Sequence, residues 1–520
     1  MEIFIGLFIL WVLFGGSSRY RFWTPLRGSP DLKSTDDANR VTDHRIRQLN
    51  LAGRLGDAIA VTFGMLRVPL EVLSKPVIIF GMQGSGKTSL LNMILNTRFY
   101  LELFRYRPGR TRFVKLDIKN ESPARLDVQI PEHVPIHYLN PLDARASVLN
   151  YPKIFTDRSD IGQLAHSICP PIPGDQSPFF RDSARQAIAM LAGVLQTFQA
   201  HATRPWGLND LCAILSDKKL FRRVMFCDFE ARSFYKMVFA TKNKASADVY
   251  ATIRSVIQPL IPAALAELGD VKRFDLSSFV REDGVVILGV PSKGSQAVLP
   301  IYAVIITRLI EEALTVNHPD DRLFLVLDEI AMCNRSVIDA VIKACSLGRA
   351  SGIHVIAATQ SVELLESQFS EANAHAFLAS CGTTVAFRCA SKKTADYCVS
   401  RMGRQEGIVL LTSWTQAKES STTTAQHLQV RDTVLAEELL HAPLADPIAD
   451  SMTFWSVCPT FGNVKVTCPF VEETTVKTDP SFPNTLPRTS GATSLRPFTE
   501  ADWIALGLPH RGRTQTPRSS

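Results

Sequence analysis

Short unbroken runs of apolar residues alternate along this chain with stretches whose apolar residues recur at helical spacing. The clearest runs predict strands covered on both faces of a sheet, at residues 77–80, 113–117, 284–290, 322–327 and 353–359. Residues 137–139 predict a further strand. Strands that alternate with helices predict an α/β fold with a mostly parallel, doubly wound sheet. In such a sheet, ligands bind at the carboxyl ends of the strands.

The pattern changes between residues 153 and 268, where helical spacing prevails and strand-like runs are nearly absent. Phe180, Ala184, Ile188 and Leu191 belong to one apolar stripe of the kind that a packed helix presents to its core. This block predicts an all-helical insertion of roughly 115 residues into the α/β domain.

The N-terminus is the most apolar part of the chain. Residues 3–14 carry no charge, and Arg19, Arg21 and Arg27 follow them. A signal peptide carries its positive charge before the apolar run, so this order predicts a membrane anchor with the rest of the chain in the cytoplasm. As a helix, residues 2–16 span roughly 22 Å, less than the ~30 Å hydrocarbon core. A re-entrant segment and a truncated start therefore remain as alternatives.

Composition sets only broad limits on the number of domains, the binding partners and the cellular compartment. The 520 residues leave room for two or three domains, and a hydrophobic share of 46% is ample for buried cores. The net charge of +7 is compatible with contact with nucleic acid or acidic lipid and indicates neither. The ten cysteines include no C-x-x-C pair, which favours buried thiols in a reducing compartment.

The first candidate chemistry lies directly after the strand at residues 77–80. Residues 81–88 fit G-x-x-x-x-G-K-[ST], and a helical pattern follows, which is the context of a loop that binds nucleotide phosphates. We expect Lys87 to reach the β- and γ-phosphates and the Thr88 hydroxyl to ligate Mg²⁺. The alternative is a Gly-rich turn without a nucleotide. The expected ATP-binding residues are Gly81, Gly84, Ser85, Gly86, Lys87, Thr88 and Ser89.

The second candidate is the acidic pair that ends the strand at residues 322–327. Asp328 suits a role in holding Mg²⁺ through its water shell, and Glu329 suits a role in orienting and deprotonating the attacking water. The alternative for both is an acidic strand end that meets a helix N-terminus. Gln360 ends the next strand, where it can contact a γ-phosphate or its water, or be a solvated strand end. Arg349, in a Gly-flanked segment between these strands, is a candidate catalytic arginine, although a lone arginine near a loop is usually a surface charge.

These residues belong to an ordered series of motifs that runs from about residue 75 to 405. The series consists of Lys87-Thr88, Asp117-x-Lys119-x-Glu121, Asn140-Pro141, Phe179-Phe180…Ala184, Leu327-Asp328-Glu329, Gly348-Arg349 and Thr359-Gln360-Ser361. It resembles the type IV coupling proteins, the TraG/TraD-type ATPases of conjugation and type IV secretion systems. The resemblance implies a RecA-like P-loop domain with an inserted all-α domain and a short N-terminal membrane anchor. It also implies a hexamer at the inner membrane that uses ATP and Mg²⁺.

By resemblance, the hexamer moves single-stranded plasmid DNA, usually bound to a relaxase, into the channel proteins of the secretion system. Two alternatives stay open: a coupling ATPase that serves as a receptor for protein effectors, and a soluble or phage-encoded DNA pump of the same superfamily. The chain departs from the family at Asn120, where glycine is usual, in having one short membrane candidate rather than two, and in its Pro/Thr/Ser/Arg-rich tail.

The domain prediction follows from these patterns. Residues 498–507 within the tail predict a short helix that either docks on a partner or folds back on its own domain. The predicted parts are a membrane anchor (1–18), a linker (19–70), the RecA-like domain in two pieces (71–152 and 269–465), the all-α insertion (153–268) and a largely disordered tail (466–520).

Overall fold

The fold is built on one large sheet with helices on both faces and a helical insertion. The structure is a computed structural model and describes residues 23–28, 32–106, 111–118, 130–172, 177–239, 244–267, 272–290, 295–315, 321–333, 335–347, 351–415, 421–470, 495 and 498–509. The strands are β1 (Trp23–Gly28), β2 (Ala60–Phe63), β3 (Leu66–Pro69), β4 (Val77–Phe80), β5 (Thr111–Asp117), β6 (Ile136–Leu139), β7 (Val148–Leu149), β8 (Arg273–Phe274), β9 (Gly284–Gly289), β10 (Arg322–Leu327), β11 (Ile353–Thr359), β12 (Thr383–Ala386), β13 (Arg404–Thr415), β14 (Ser421–Asp432), β15 (Met452–Cys458) and β16 (Gly462–Cys468).

Helices separate most of these strands in the described part of the chain, and one helix follows the last strand. They are α1 (Thr35–Leu51), α2 (Lys87–Ile94), α3 (Thr97–Tyr106), α4 (Tyr151–Ile154), α5 (Arg158–Ile168), α6 (Pro178–Phe198), α7 (Leu208–Ser216), α8 (Lys218–Met225), α9 (Phe229–Phe239), α10 (Lys244–Ile257), α11 (Ile261–Ala266), α12 (Leu276–Phe279), α13 (Ser295–Thr315), α14 (Arg335–Leu347), α15 (Val362–Phe369), α16 (Glu371–Ser380), α17 (Lys392–Met402), α18 (Ala436–Leu440) and α19 (Glu500–Ala505).

The large sheet has the strand order β16-β15-β12-β4-β11-β10-β5-β9-β6. From β12 to β6 all pairs are parallel, and β15 and β16 add an antiparallel edge. Every residue of β4, β10 and β11 is buried, which explains why these strands are mainly apolar in the sequence. The predicted α/β class is confirmed.

The strand order places β11 between β4 and β10. The register pairs Thr359 with Phe80 on one side of β11 and Ala357 with Leu327 on the other. Because parallel strands end at the same edge, the residues that follow β4, β10 and β11 meet there.

The block between β7 and β8 is an all-helical insertion, as its spacing predicts. Its longest helix, α6, packs against α5, α9 and α10, and Ala184, Ile188 and Leu191 lie buried on its inner side. Residues 244–266, which cover α10 and α11, are the one described stretch with the length and apolarity of a membrane span. They pack against α6 and α7 inside the insertion, as core helices do. The predicted anchor at residues 1–18 lies outside the described residues.

The prediction of a linker over residues 19–70 was wrong for much of its described part. Helix α1 begins after Ser34, whose side chain accepts from the Asp37 N–H, and it packs on the β2–β3 hairpin. The helix was missed because it is mostly polar: its buried positions are only Ala38, Thr42 and Leu49. Strand β1 also lies in this stretch and pairs with β13.

Two further elements depart from the sequence pattern. Strands β13 and β14 form a long hairpin that was not predicted, because a run such as Ser421–Asp432 is mostly polar and alternates only at Leu428 and Val430. In the tail predicted as largely disordered, β16 extends to Cys468, and residues 498–509 fold back onto the all-α insertion. Helix α19 thus takes the second of its two predicted alternatives.

Candidate nucleotide site

The Gly-rich loop between β4 and α2 is closely packed against its own side chains. A Cβ atom on Gly81 would lie 2.4 Å from the Ser85 hydroxyl oxygen and 2.8 Å from Phe387 Cβ, so only glycine fits there. Gly86 caps the N-terminus of α2 with a φ of 104°, in the left-handed region that favours glycine. The sequence therefore dictates a tight turn that directs the start of α2 toward the sheet edge.

Neighbouring strands hold this loop in place. The Gly81 N–H donates to the Thr359 carbonyl at 3.3 Å, and the Met82 N–H donates to the Arg388 carbonyl at 2.9 Å. The Lys87 ammonium donates to the carbonyls of Gly81 and Met82, the latter at 3.2 Å. A cation held over a Gly-rich turn at a helix N-terminus is an arrangement suited to an anion.

One polar atom inside the loop has no partner among the described residues. Ser85 is 1% exposed, and its hydroxyl oxygen accepts and donates no hydrogen bond there. A buried hydroxyl without a partner costs free energy unless a ligand or water satisfies it. The turn thus has an unused donor as well as the space that its glycines leave, which fits a phosphate group.

Thr88 and Asp328 approach each other across the end of β11, which lies between β4 and β10 in the sheet. The Thr88 hydroxyl oxygen lies 3.5 Å from Asp328 Oδ1, and the Asp328 residue is 8% exposed. Hydroxyl and carboxylate oxygens are the donors that a hard divalent cation such as Mg²⁺ prefers. This pair fits Mg²⁺ held next to the phosphate loop.

Glu329 is the neighbouring carboxylate, and it is half-buried. Burial raises the pKa of Glu329, while the Thr359 hydroxyl, the Lys87 charge and the Gln360 side chain favour its ionised form. No hydrogen bond of ordinary geometry reaches Glu329 Oε1 among the described residues, although Thr359 lies close to it. The carboxylate therefore has an unused acceptor at the sheet edge.

The structure thus brings together most of the residues singled out from sequence. Lys87, Thr88, Asp328 and Glu329 meet at the carboxyl ends of β4 and β10, and the exposed Gln360 follows β11 between them. Ser89 is half-buried in the first turn of α2. Arg349 lies outside the described residues, as do Lys119, Asn120 and Glu121 of the second motif.

Two residues of the site were given no role from sequence, although Thr359 was named as part of one motif. Thr359 is fully buried, contributes the carbonyl that fixes Gly81, and places its hydroxyl beside Glu329. The Arg388 carbonyl, two residues after β12, fixes the loop, and its role is one of backbone geometry that no side-chain motif could show. By contrast, Asn140 of the third motif is structural: it is fully buried, donates to the Tyr138 hydroxyl and accepts from the Leu142 N–H, each at 3.1 Å.

Comparison with known proteins gives the same architecture. The TrwBdeltaN70 bacterial conjugative coupling protein, in its unbound monoclinic form, superposes with a TM-score of 0.66 at 18% identity, over 91% of this chain and 98% of that chain. TrwB in complex with ADP and Mg²⁺ gives 0.67 at 17% identity, over 91% and 99%. TrwB with the ATP analogue ADPNP gives 0.65 at 18% identity, with the same coverage. A comparison with curated protein sequences found no match.

These superpositions confirm the predicted RecA-like domain with its all-α insertion. The sequence model of the type IV secretion-system coupling protein DNA-binding domain matches residues 60–452, which is more than half of the 520 residues. The chain therefore belongs to the type IV secretion-system coupling proteins.

Proposed function

We propose that this chain is an inner-membrane ATPase that recruits single-stranded plasmid DNA with its relaxase and pumps it into a type IV secretion channel. The observation that carries the proposal is the meeting of the phosphate loop, Asp328 and Glu329 at one sheet edge, in a chain of the coupling-protein family. TrwB, which shares the fold, has been solved with ADP and Mg²⁺ and with ADPNP, and this likeness supports ATP as the nucleotide.

In this proposal the phosphates of ATP lie in the turn between β4 and α2. Ser85 contributes its unused hydroxyl, and Lys87 moves its ammonium from the loop carbonyls to the phosphate oxygens. The exchange is favourable because a charge-assisted contact to phosphate is stronger than one to a neutral carbonyl. Gly81, Gly84 and Gly86 keep the turn free of side chains that would occupy the same space, and Ser89 follows in the first turn of the helix.

Thr88 and Asp328 hold Mg²⁺, Thr88 through its hydroxyl and Asp328 through the metal's water shell. When bound, the metal neutralises charge that develops on the transferred phosphoryl group. Asp328 suits this task because it is buried at a fixed strand end and cannot easily turn away.

Glu329 orients the attacking water and accepts its proton at the unused Oε1. Burial raises the pKa of this carboxyl, which makes its ionised form a stronger base than an exposed glutamate. Thr359 and Gln360 approach Glu329 from the intervening strand and favour its ionised form. In addition, Gln360 is exposed toward the site and can contact the γ-phosphate or the water.

Arg349 completes the site of the neighbouring subunit in a homo-hexamer. Its guanidinium is always charged and can contact two phosphate oxygens at once, which suits stabilisation of the transition state. In sequence, Arg349 lies between Asp328 and Gln360 and is flanked by Gly348 and Gly352, which is the basis for this role. The segment at residues 1–18 anchors each subunit in the membrane.

The test is ATP hydrolysis by the full-length protein in detergent, with and without single-stranded DNA. We expect single-stranded DNA to stimulate hydrolysis more than duplex DNA of the same sequence. The Lys87→Ala variant should be inactive, and Lys75→Ala, which changes an exposed lysine just before the same strand, should be active. Absence of hydrolysis under all conditions would refute the proposal. Hydrolysis that ignores DNA would favour a receptor for protein effectors instead.

A further inference from the structure

The C-terminal segment at residues 498–509 occupies a groove on the all-α insertion. We define this groove by the chain from Phe198, the last residue of α6, to Trp206 and by the adjacent surface of α8. The Thr203 N–H donates to the Ala505 carbonyl at 2.9 Å, so the contact includes the backbone of both sides. The segment is joined to β16 through residues 469–497, far from the groove in sequence.

The segment carries its own helix cap. Thr499 caps α19: its hydroxyl donates to Asp502 Oδ2 at 2.8 Å, and the Asp502 N–H donates back to it at 3.3 Å. The Thr499 N–H also donates to Asp502 Oδ2, at 2.9 Å. A capping box of this kind stabilises a helix start locally, so residues 498–509 carry the features of a short self-capped peptide.

Apolar anchors hold the segment in the groove. Trp503 is 2% exposed, and the guanidinium carbon of Arg223 lies 3.7 Å from the centre of its ring. Leu506 and Leu508 are also buried. A buried tryptophan with an arginine stacked on it is the usual composition of a binding hot spot.

Charge fixes the orientation of the segment. Arg223 pairs with Glu500 at 3.1 Å, and Arg204 pairs with Asp502 at 3.3 Å while also holding Asp210 at 2.7 Å. Both arginines belong to the groove and both acidic residues to the first turn of α19. The groove therefore recognises an acidic helix start followed by a tryptophan.

At the C-terminal end of α19, the backbone of the segment contacts the backbone of the groove. Gly507 has a φ of 69°, and a Cβ on it would lie 2.7 Å from the carbonyl carbon of His201 and 2.8 Å from the nitrogen of Ala202. The chain thus leaves α19 pressed against the groove, which only glycine permits. The segment matches the groove in shape, charge and apolar anchors, as a ligand matches a receptor.

We propose that this groove is a docking surface for a helical segment of a partner protein, and that residues 498–509 occupy it as a tethered substitute. The partner segment carries acidic residues in its first turn, a tryptophan after them and a leucine one turn later. A protein partner is favoured over nucleic acid for two reasons. The groove buries apolar side chains and donates a backbone hydrogen bond to the bound segment, whereas a surface for nucleic acid relies mainly on a row of cations. When the partner docks, it displaces residues 498–509 from the groove, so the position of the tail depends on whether the partner is bound.

A tethered occupant protects the groove against weak competitors. A segment that belongs to the same chain as its binding site competes at an effective concentration of roughly millimolar order. Only a partner that binds more tightly, or that binds at a second place as well, displaces it. The groove is therefore selective for tightly binding partners without being permanently closed.

The test uses a fluorescein-labelled peptide of residues 498–509 and the full-length chain with Trp503→Ala, in which the tail loses its anchor. We expect saturable peptide binding to this variant and binding at least about tenfold weaker to the unmutated chain, whose own tail competes. Trp503→Ala in the peptide should weaken binding by about 30-fold or more. Circular dichroism should show that the full-length variant retains its helical content.

Charge reversal supplies the specific control. Adding Arg223→Glu to the full-length Trp503→Ala chain should weaken binding at least about tenfold, and a peptide with Glu500→Arg should restore it. Arg222→Glu, which reverses an exposed charge at the adjacent position of α8, should change little. Lack of saturable binding, binding that ignores Arg223, unfolding of the Trp503→Ala chain, or Arg223-dependent binding of a single-stranded oligonucleotide in place of the peptide would each overturn the proposal.

Discussion

Glu267 makes the stability of the helical insertion dependent on pH. It follows α11, where the insertion ends, and its Oε2 accepts from the Leu208 N–H at 2.7 Å and the Asn209 N–H at 3.4 Å. The residue is 8% exposed, and burial raises the pKa of its carboxyl from an ordinary 4.5 to about 7 despite the hydrogen bonds that it accepts. We predict that Glu267→Gln removes most of the pH dependence that this burial causes.

The magnitude follows from the two pKa values. Because the folded-state pKa is raised, the stabilising contribution is complete below the ordinary pKa of 4.5 and is lost as pH rises through about 7. Relative to low pH, the free energy of unfolding is lower by about 0.8 kcal/mol at about pH 5, where mainly the unfolded chain ionises, and by about 3.4 kcal/mol at about pH 8.5, where both states are ionised. Glutamine has no proton to lose and keeps an acceptor for the Leu208 N–H. Relative to the unmutated chain, the variant should gain about 2.5 kcal/mol between these pH values.

The assay is urea unfolding of the full-length chain and of the variant at both pH values, followed by far-ultraviolet circular dichroism. The amide of glutamine can change the free energy of unfolding by an amount that does not depend on pH. That amount cancels, because the comparison uses only the difference in unfolding free energy between the two pH values. Glu230→Gln, at a carboxylate in the same insertion whose side chain is 53% exposed, serves as the control and should follow the unmutated chain. Equal pH dependence in Glu267→Gln and in the unmutated chain would refute the argument.

The remaining predictions concern the proposed motor. Lys87→Ala and Glu329→Gln should both abolish hydrolysis, but only Glu329→Gln should still bind ATP in an equilibrium measurement, and an unchanged rate in that variant would contradict its role as base. Alkaline phosphatase fused after Gly28 should show no periplasmic activity, and deletion of residues 1–18 should release the chain from membranes; a deleted chain that stays there without partner proteins would rule out the anchor. Arg349→Ala should bind ATP normally and hydrolyse it roughly 10³-fold more slowly, and mixing with Lys87→Ala should restore some activity. Mixtures that co-assemble yet stay inactive, while each variant mixes productively with unmutated chain, would exclude action across subunits.

The central strands could be predicted from sequence because burial on both faces leaves a clear mark. In β4, β10 and β11 every position is buried, so each appears as a mainly apolar run, which in β11 is interrupted by the buried His354. The loop at residues 81–88 was equally clear, since the space at Gly81 excludes any side chain and so fixes the residue type. Burial and lack of space restrict the residue type at each of these positions, so these features can be recognised from the sequence.

Elements that depend on distant partners could not be predicted in this way. Helix α1 buries few side chains, and its place depends on the β2–β3 hairpin and on the Arg45–Glu71 pair at 2.8 Å. The position of α19 depends on Arg204 and Arg223, hundreds of residues earlier. The tail sequence shows that a capped helix can form, but only the groove decides where it lies.

The arrangement of the site shows the same division between local and distant causes. Lys87, Asp328 and Gln360 each follow a strand that could be recognised separately, yet β11 comes last in the sequence and lies between the other two in the sheet. One intervening strand separates β4 from β10 by about 10 Å. That distance leaves room for a metal ion and a phosphate between the loop and the acidic pair, and it lets Thr359 and Gln360 face Glu329 from the middle. Neighbouring β4 and β10 would crowd the same residues, so the strand order, which no single motif reveals, is what makes the motifs capable of acting together.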